Sequence, residues 1–387
     1  MDNKQNKTII AQELLKEYMI ELRKQVLDAK SDSDIEHPKK IIDFDIRRSF
    51  LNGEYVNRLV IFMKGTGCSQ VKRNGGCTCC GFYSISNFGE KIEDSYYIKL
   101  IDKLIDGGKL DISKFPIICL YNDGSLLNDE EIDFRVLSYM IGKLNKINTV
   151  KKIVIEAKVN DISERQLNEI RKLTSKEFDI TVGYESANQK VRALCVNRPF
   201  SNENFEDKVR LSKAYDINIV PLLMAKSAFL SEYEAVEDFV SSLVYLENLA
   251  LKRIDIELPT VVQNSLNYDL WINGMYKPIK FWSIIEILKQ KENLKLKTPV
   301  YISPMVYSMK AYDHAWNCDK CSATIYNLFE EYNMGAGSSI FDGIDCDCKR
   351  EWEQMMKSTS NIDCLEDTVI ESLKKLSNIK ANKEGNL

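Results

Sequence analysis

A partial (β/α)6 TIM-like barrel with a C-terminal cysteine-rich metal-binding module is the fold class this sequence predicts. Six short β-branched runs recur in series, each followed by a polar or Gly-containing turn and mostly by a stretch of helical apolar spacing. Such units imply a parallel sheet covered by helices, and their number suits a partial or complete barrel better than an open sheet with a reversal of strand order. Beyond the last unit the pattern changes to a cysteine-bearing segment and a polar helical tail.

Residues 1–40 read as an N-terminal helix and linker, because IIAQELLKEYMIELRKQVLDA is periodic and SDSDIEHPKK after it is polar and contains Pro38. Residues 41–305 read as the barrel, with strands expected at YVNRLVIFMK, FPIICLY, KKIVIEA, FDITVGYE, INIVPLLMA and RIDIEL. A further helix, KFWSIIEILKQKENL, leads to TPVYIS, a candidate seventh strand. Residues 306–387 hold the cysteine-rich module and helical tail. Functional groups in barrels of this kind sit on loops at the C-terminal ends of the strands. GTGCSQVKRNGGCTCCGF falls just after the first expected strand and YNDGSL just after the second.

The 387 residues, 44% hydrophobic and 28% charged, are those of a globular chain able to bury a sizeable core. No apolar run approaches the roughly 20 residues of a membrane span, and MDNKQNKTII lacks signal-peptide features, so a cytoplasmic protein without a membrane partner is expected. A net charge of -4 gives no global attraction to nucleic acid. Histidine occurs only as His37 and His314, which argues against a His-rich metal site or a catalytic triad.

Eleven cysteines in such a chain point to metal or redox chemistry rather than to a disulfide framework. Cys119, Cys195 and Cys364 stand alone and are expected to be buried. Cys68, Cys77 and Cys80 have the spacing C-x8-C-x2-C on a glycine-rich loop able to wrap a bulky inorganic core. Three thiolates on a 4Fe-4S cluster leave one iron without a protein ligand, open to a substrate. The competing reading is a zinc knuckle that also uses Cys79, although adjacent cysteines chelate a tetrahedral ion poorly.

A three-cysteine loop followed by Gly81 and Phe82 after the first barrel strand resembles the radical S-adenosylmethionine superfamily. The wide first spacing resembles the branch that contains the radical subunit of archaeosine synthase. YNDGSLLNDEEI, IVIEAKVNDISERQL, ITVGYESANQKVRALCVNRPFS, PLLMAKSAFLSEYEAVED, LPTVVQNSL, YKPIKFWSIIEIL, NCDKC and CDCKREWE continue the resemblance in order, over roughly residues 45–355. The resemblance implies that S-adenosylmethionine chelates the open iron, with the backbone of Asn122, Asp123, Gly124 and Ser125 around its amino group. It places Glu156 and Lys158 where they grip ribose or carboxylate, Glu185 against a ribose hydroxyl or ammonium, and Phe82 on the adenine. Each has a plainer reading: the acids anchor loops, and the lysine is solvated. The implied chemistry is reductive cleavage of S-adenosylmethionine to a 5′-deoxyadenosyl radical that abstracts hydrogen, with an external one-electron reductant.

The second cysteine set, Cys318, Cys321, Cys346 and Cys348, supplies thiolates for one tetrahedral zinc, with an auxiliary iron-sulfur cluster as the alternative. In archaeosine synthase the radical subunit cleaves a lysine-derived side chain on a deazaguanine in tRNA, working with a lysine-transferring partner. The resemblance therefore implies an amino-acid-derived or nucleoside-conjugate substrate and C–N bond cleavage, although charge gives a tRNA no support. AKSAF, ELPTVVQ and YKPIKFWS depart from the family pattern at loops expected to face the barrel mouth, which makes Lys226, Gln263, Tyr276 and Trp282 candidate pocket residues. Loop packing is their plainer reading. Two alternatives stand beside this one: tailoring of a small-molecule or peptide product by the same radical core, and a non-catalytic zinc-binding interaction protein.

Overall fold

The computed structural model describes residues 3–28, 41–108, 110–122, 124–305, 309–358 and 362–384. The expected linker, with His37, lies outside the described residues, as does Asp123. An eight-stranded sheet runs in the order β1 (Ile42–Leu51), β2 (Glu54–Met63), β3 (Ile117–Tyr121), β4 (Lys152–Glu156), β5 (Glu177–Glu185), β6 (Asn218–Met224), β7 (Ile254–Glu257) and β9 (Val300–Ile302). From β2 to β9 every pairing is parallel. A separate antiparallel pair joins β8 (Thr260–Val262) to β10 (Ala311–His314).

All six expected strands and the candidate seventh are present as β2 to β7 and β9. β1 is an addition at the sheet edge, antiparallel to β2 across Asn52 and Gly53, which adopt φ of 53° and 83°. An Asn-Gly turn with both residues at positive φ is the favoured two-residue hairpin connection. Ile42, Phe44 and Ile46 alternate with Asp43, Asp45 and Arg47, but Phe44 and Ile46 are exposed, so β1 buries little of its apolar face.

The sheet is curled, and alternation along each strand divides its apolar residues between two sides. Leu59, Ile61, Ile118, Leu120, Ile153 and Ile155 join the main core with the surrounding helices. Val60, Ile117, Cys119 and Val154 form a second, inner cluster with Phe62 and Tyr121 against it. Strands β1 and β9 do not pair, so the barrel is partial, but Phe50 and Tyr301 bring these edges within a ring-centroid distance of 5.5 Å.

Helix Asn3–Asp28 packs against helix Leu365–Glu384 and reaches the cysteine loop. A Cβ on Gly75, at φ +80°, would lie 2.4 Å from the backbone of Met19, so only glycine permits this approach. Helices on the outer face start at side-chain caps, among them Ser163, Ser201 and Ser231; Ser231 forms a capping box with Glu234. No helix among the described residues is long and apolar enough to cross a membrane.

Candidate active site

The loop after β2 carries Cys68, Cys77, Cys79 and Cys80, with the short helix Ser69–Asn74 between the first two. Its conformation is imposed from outside. The buried Arg23 of the N-terminal helix donates from Nε to Gly75 O at 2.8 Å and from Nη2 to Cys80 O at 2.6 Å and Cys77 O at 3.3 Å. Its Nη1 reaches Asn264 O.

On the other side, residues 195–197 are laced into the loop. Thr78 donates to Cys195 O and Val196 O, and the Asn197 amide donates to Asn74 O and Gly76 O, both at 2.8 Å. Gly67, at φ +109°, would place a Cβ 2.7 Å from the Ser86 hydroxyl. The loop therefore has little freedom to rearrange.

Glu131 joins this loop to the next one. Its Oε1 accepts from Ser69 N at 2.8 Å, its Oε2 accepts from Ser125 N at 2.7 Å, and it pairs with the Lys158 ammonium. Lys158 also lies 2.5 Å from Ser69 Oγ and 3.3 Å from Asp161. Against the burial that lowers it, Cys68, Glu131 and Asp161 hold the Lys158 ammonium above its ordinary value. Glu156 at the end of β4 accepts from Asn122 N and, at 3.4 Å, from Gly124 N, and Ser125 Oγ accepts from Lys158 N. Asn122 is 6% exposed, and neither polar atom of its side chain has a hydrogen-bond partner among the described residues. Such an orphan calls for an occupant.

Burial pushes the Cys68 thiol up to about 12, with Glu131 adding to the rise and Lys158 opposing it. A thiolate in this place is stabilised by a bound cation. Cys79 is raised by burial and by Cys77 and Glu185. Phe82 opens the turn Phe82–Ile85 and is half-buried.

At the end of β5, Glu185 has φ +68°, a strained conformation for a non-glycine residue, beside an irregularity in the β5–β6 register. Burial pushes its carboxyl up against the opposing Arg198 and Arg192. Arg198 Nη1 donates to Glu185 Oε1 at 3.0 Å and to Gly183 O at 2.8 Å. At the end of β7, Glu257 accepts from Ser303 Oγ at 2.6 Å and has no cation within salt-bridge distance among the described residues. Burial pushes it up to about 7, with Asp255 and Glu185 contributing and Ser303 opposing.

Of the four expected pocket residues, the fold joins Lys226 and Tyr276, whereas Gln263 and Trp282 meet other neighbours. Lys226 is buried and pairs with Glu232 at 3.0 Å; Tyr276 Oη donates to Lys226 O at 3.1 Å. Gln263 places its carbonyl oxygen on Gly81, 2.4 Å from where a Cβ would lie. Trp282 sits on the second cysteine set, donating from Nε1 to Cys348 Sγ at 3.3 Å.

That second set converges. The sulfurs of Cys318, Cys321, Cys346 and Cys348 all lie within 4.8 Å of one another, three pairs at 3.5–3.6 Å. Tetrahedral thiolates at about 2.3 Å from one zinc ion stand about 3.8 Å apart. Against the burial that opposes it, the N–H groups of Cys321 and Lys320 and the neighbouring thiols hold Cys318 down to about 7. Among the described residues, this is the one group that converges on a single ion; Cys68, Cys77 and Cys80 do not. Cys119 and Cys195 are buried as expected, whereas Cys364 is exposed at the start of the tail helix.

Sequence reasoning gave no role to Arg23, Glu131, Asn197, Arg198 or Glu257. Glu131, Asn197 and Arg198 lie in quoted motifs, but nothing local marks them, since their partners are remote in sequence.

No family model matches the chain. The uncharacterized protein MJ0550 of Methanocaldococcus jannaschii is 30% identical over 342 residues, 87% of this chain and 92% of that protein. Archaeosine synthase subunit beta of Methanosarcina acetivorans is 26% identical over 79% of this chain and 87% of its own length. Among solved structures, the queuine lyase of Clostridium spiroforme, bound to S-adenosylmethionine and queuine, is 14% identical over 69% of this chain and 98% of that chain, with a TM-score of 0.47. A partial parallel barrel with a clasped cysteine loop at the C-terminal end of its first parallel strand is the arrangement that the sequence resemblance to radical S-adenosylmethionine proteins leads one to expect. The chain belongs to one family with the Methanocaldococcus jannaschii protein, and it is similar to archaeosine synthase subunit beta over most of its length.

Proposed function

We propose that this protein is a radical S-adenosylmethionine enzyme that abstracts hydrogen from an amino-acid-derived or nucleoside-conjugate substrate. The observation that carries the reading is the Cys68–Cys80 loop, held by Arg23, Asn197 and Glu131, with thiols set too wide for one ion and an unpartnered Asn122 side chain on the neighbouring loop. Cys68, Cys77 and Cys80 would hold a 4Fe-4S cluster, whose reduced form supplies, with S-adenosylmethionine, the 5′-deoxyadenosyl radical.

The protein's own part is to orient and to exclude water. Glu156 and Glu131 fix the backbone of Asn122, Gly124 and Ser125, which would present a rigid edge to the amino group of S-adenosylmethionine, the part expected of Asp123 lying outside the described residues. Glu185 would take a ribose hydroxyl, Phe82 the adenine, and Lys158 would act through Glu131 and Ser69 to keep Cys68 in place. Lys226 and Gln263 would border the substrate space, with Tyr276 and Trp282 as supports.

We assign zinc to Cys318, Cys321, Cys346 and Cys348, because sulfur separations of 3.5–3.6 Å suit one tetrahedral ion, whereas a four-iron cluster spreads its thiolates more widely. The reductant is external. The named subunit relatives favour a partner protein, and C–N bond cleavage is the reaction that the sequence resemblance implies. Tailoring of a free small molecule or peptide is the second reading, favoured by the net charge of -4.

The test is anaerobic purification, reduction with dithionite in the presence of S-adenosylmethionine, and measurement of 5′-deoxyadenosine with iron, sulfide and zinc. About four irons and one zinc per chain are expected. Deoxyadenosine should disappear in the Cys68→Ala, Cys77→Ala, Cys80→Ala triple variant. Zinc without iron in the anaerobic protein would leave only the interaction-protein alternative standing.

A further inference from the structure

Strands β1 and β9 leave a gap in the sheet, and a cavity of about 330 Å3 lies in it, bounded by both strands and by helix Ser322–Asn333. That volume is in the range of small-molecule sites. Its walls combine the rings of Tyr55, Tyr301 and Tyr326 with Arg47, Arg48 and Ser49 of β1.

The strand register sets two arginines side by side. Arg47 of β1 lies directly opposite Arg58 of β2, and Arg58 alternates with Val60, so both sit on the inner face of the sheet. Like charges so placed repel one another. The acids around them are already engaged. Asp45 accepts from Arg47 Nε at 3.0 Å, Glu330 from Arg48 Nη1 at 2.9 Å, and Asp255 from Arg253 Nη2 at 3.0 Å, while Asp179 pairs with Lys152 at 2.6 Å. Glu257 is within electrostatic reach of Arg58 but makes no ion pair with it among the described residues, and burial favours its uncharged form.

Arg58 is therefore the charge left over. Its Nε is buried without a partner, and no acid stands within salt-bridge distance of it among the described residues. It is flanked by Arg47 across the strands and has Tyr301 within electrostatic reach, and both of these line the cavity. Arg47 donates only from Nε, which leaves its two Nη atoms unused, and the hydroxyls of Ser49 and Tyr301 donate no hydrogen bond among the described residues. One cavity thus collects a guanidinium fork, two hydroxyl donors and an unmatched positive charge, the set that recognises an oxyanion.

We propose that the cavity between β1 and β9 binds a small molecule bearing an oxyanion, a carboxylate or a phosphate, held by Arg47, Ser49 and Tyr301 with Arg58 supplying the countercharge. The aromatic walls take the body of the ligand. No residue of the cysteine loop lines this cavity, so the proposal stands independently of the radical-enzyme reading.

The experiment titrates the full-length, anaerobically purified protein by calorimetry at fixed ionic strength with phenyl phosphate, benzoate and benzamide, the last a neutral match in shape for benzoate. At least one of the two anions should bind about tenfold or more tighter than benzamide; phenyl phosphate as the tighter identifies a phosphate as the natural group, benzoate a carboxylate. Arg47→Gln and Arg58→Gln should each weaken that anion about 10- to 100-fold. Without ligand, Arg58→Gln should melt no lower than wild type, because it removes a buried charge that has no partner. Absence of saturable binding by both anions, binding no tighter than that of benzamide, or an affinity unchanged in either variant overturns the proposal. A fall of more than about 5 °C in the melting temperature of ligand-free Arg58→Gln also overturns it, since the guanidinium would then have partners inside the protein.

Discussion

The two cysteine sets of this chain solve opposite problems. Around Cys318, Cys321, Cys346 and Cys348 the polar groups satisfy one another: sulfurs meet at 3.5–3.6 Å, Trp282 donates to Cys348, and Asn317 donates to Cys321 at 3.7 Å. Around Cys68, Cys77 and Cys80 remote groups bond the backbone, yet among the described residues side-chain capacity is left unused at Asn122, Arg198 and Glu257. A closed site contributes stability; an open one is held rigid by its surroundings so that its unused donors and acceptors meet a ligand. Predictions follow from that difference.

The largest expected effect separates the two sets. Cys321→Ser with Cys348→Ser should remove the zinc, leave about four irons per chain, and lower the melting temperature by on the order of 5–10 °C. Damage should nevertheless travel. Trp352 Nε1 donates to Ser283 Oγ at 2.8 Å, Ser283 donates to Glu232 at 2.7 Å, and Glu232 holds Lys226. The zinc-free protein should therefore make deoxyadenosine without substrate at a rate within about threefold of wild type, while turnover that depends on the Lys226 side of the mouth falls further. Loss of iron together with zinc would break the comparison, since the sets would then form one site.

A smaller effect is expected from the clasp. Replacing Arg23 with Ala leaves the carbonyls of Gly75, Cys77, Cys80 and Asn264 without their donor. Arg23 is 3% exposed, so the cost is that of several buried acceptors, about 2–4 kcal/mol. The variant should lose iron to a chelator faster than wild type while keeping its zinc. Equal rates of iron loss would show that the loop holds its shape without the helix.

How much of this was legible in the sequence follows the range of the interactions. The parallel strands were readable because period-2 alternation and β-branching are local, and both cysteine sets because their spacings are. Strand β1 was missed although Ile42, Phe44 and Ile46 alternate with Asp43, Asp45 and Arg47 ahead of the Asn52-Gly53 turn, a local signal that the β-branched runs alone did not capture. The clasp was not legible at all. Arg23 acts 52 residues away on Gly75, and Asn197 acts 121 residues away on Gly76. Trp282 was read as a pocket residue from its loop, but its neighbour in space is Cys348, 66 residues on.

The smallest effect concerns Glu257, at the end of β7, which has no cation within salt-bridge distance among the described residues. Burial raises it to about 7, whereas in the unfolded chain a glutamate titrates near about 4.3. Between these values the folded protein binds more protons than the unfolded one, so this group's contribution to stability is full below the unfolded pKa and is lost as pH rises towards 7. Ser303, Asp255, Glu185 and Arg58 face it, and only Ser303 and Arg58 favour the charged form. Asp238, at about 7 through burial against Ser186 and Arg192, contributes a slope of the same sign, so a single substitution should flatten only part of the profile. Glu257→Gln should thus raise the melting temperature at pH 8 by a few degrees and leave it nearly unchanged at pH 5, read as the difference between variant and wild type. If the difference is the same at both pH values, Glu257 is not protonated in the folded state at pH 5, and a cation already matches it. If it is absent at pH 8 once S-adenosylmethionine or substrate is bound, the ligand supplies the missing positive charge, and the unused acid of the open site has found its partner.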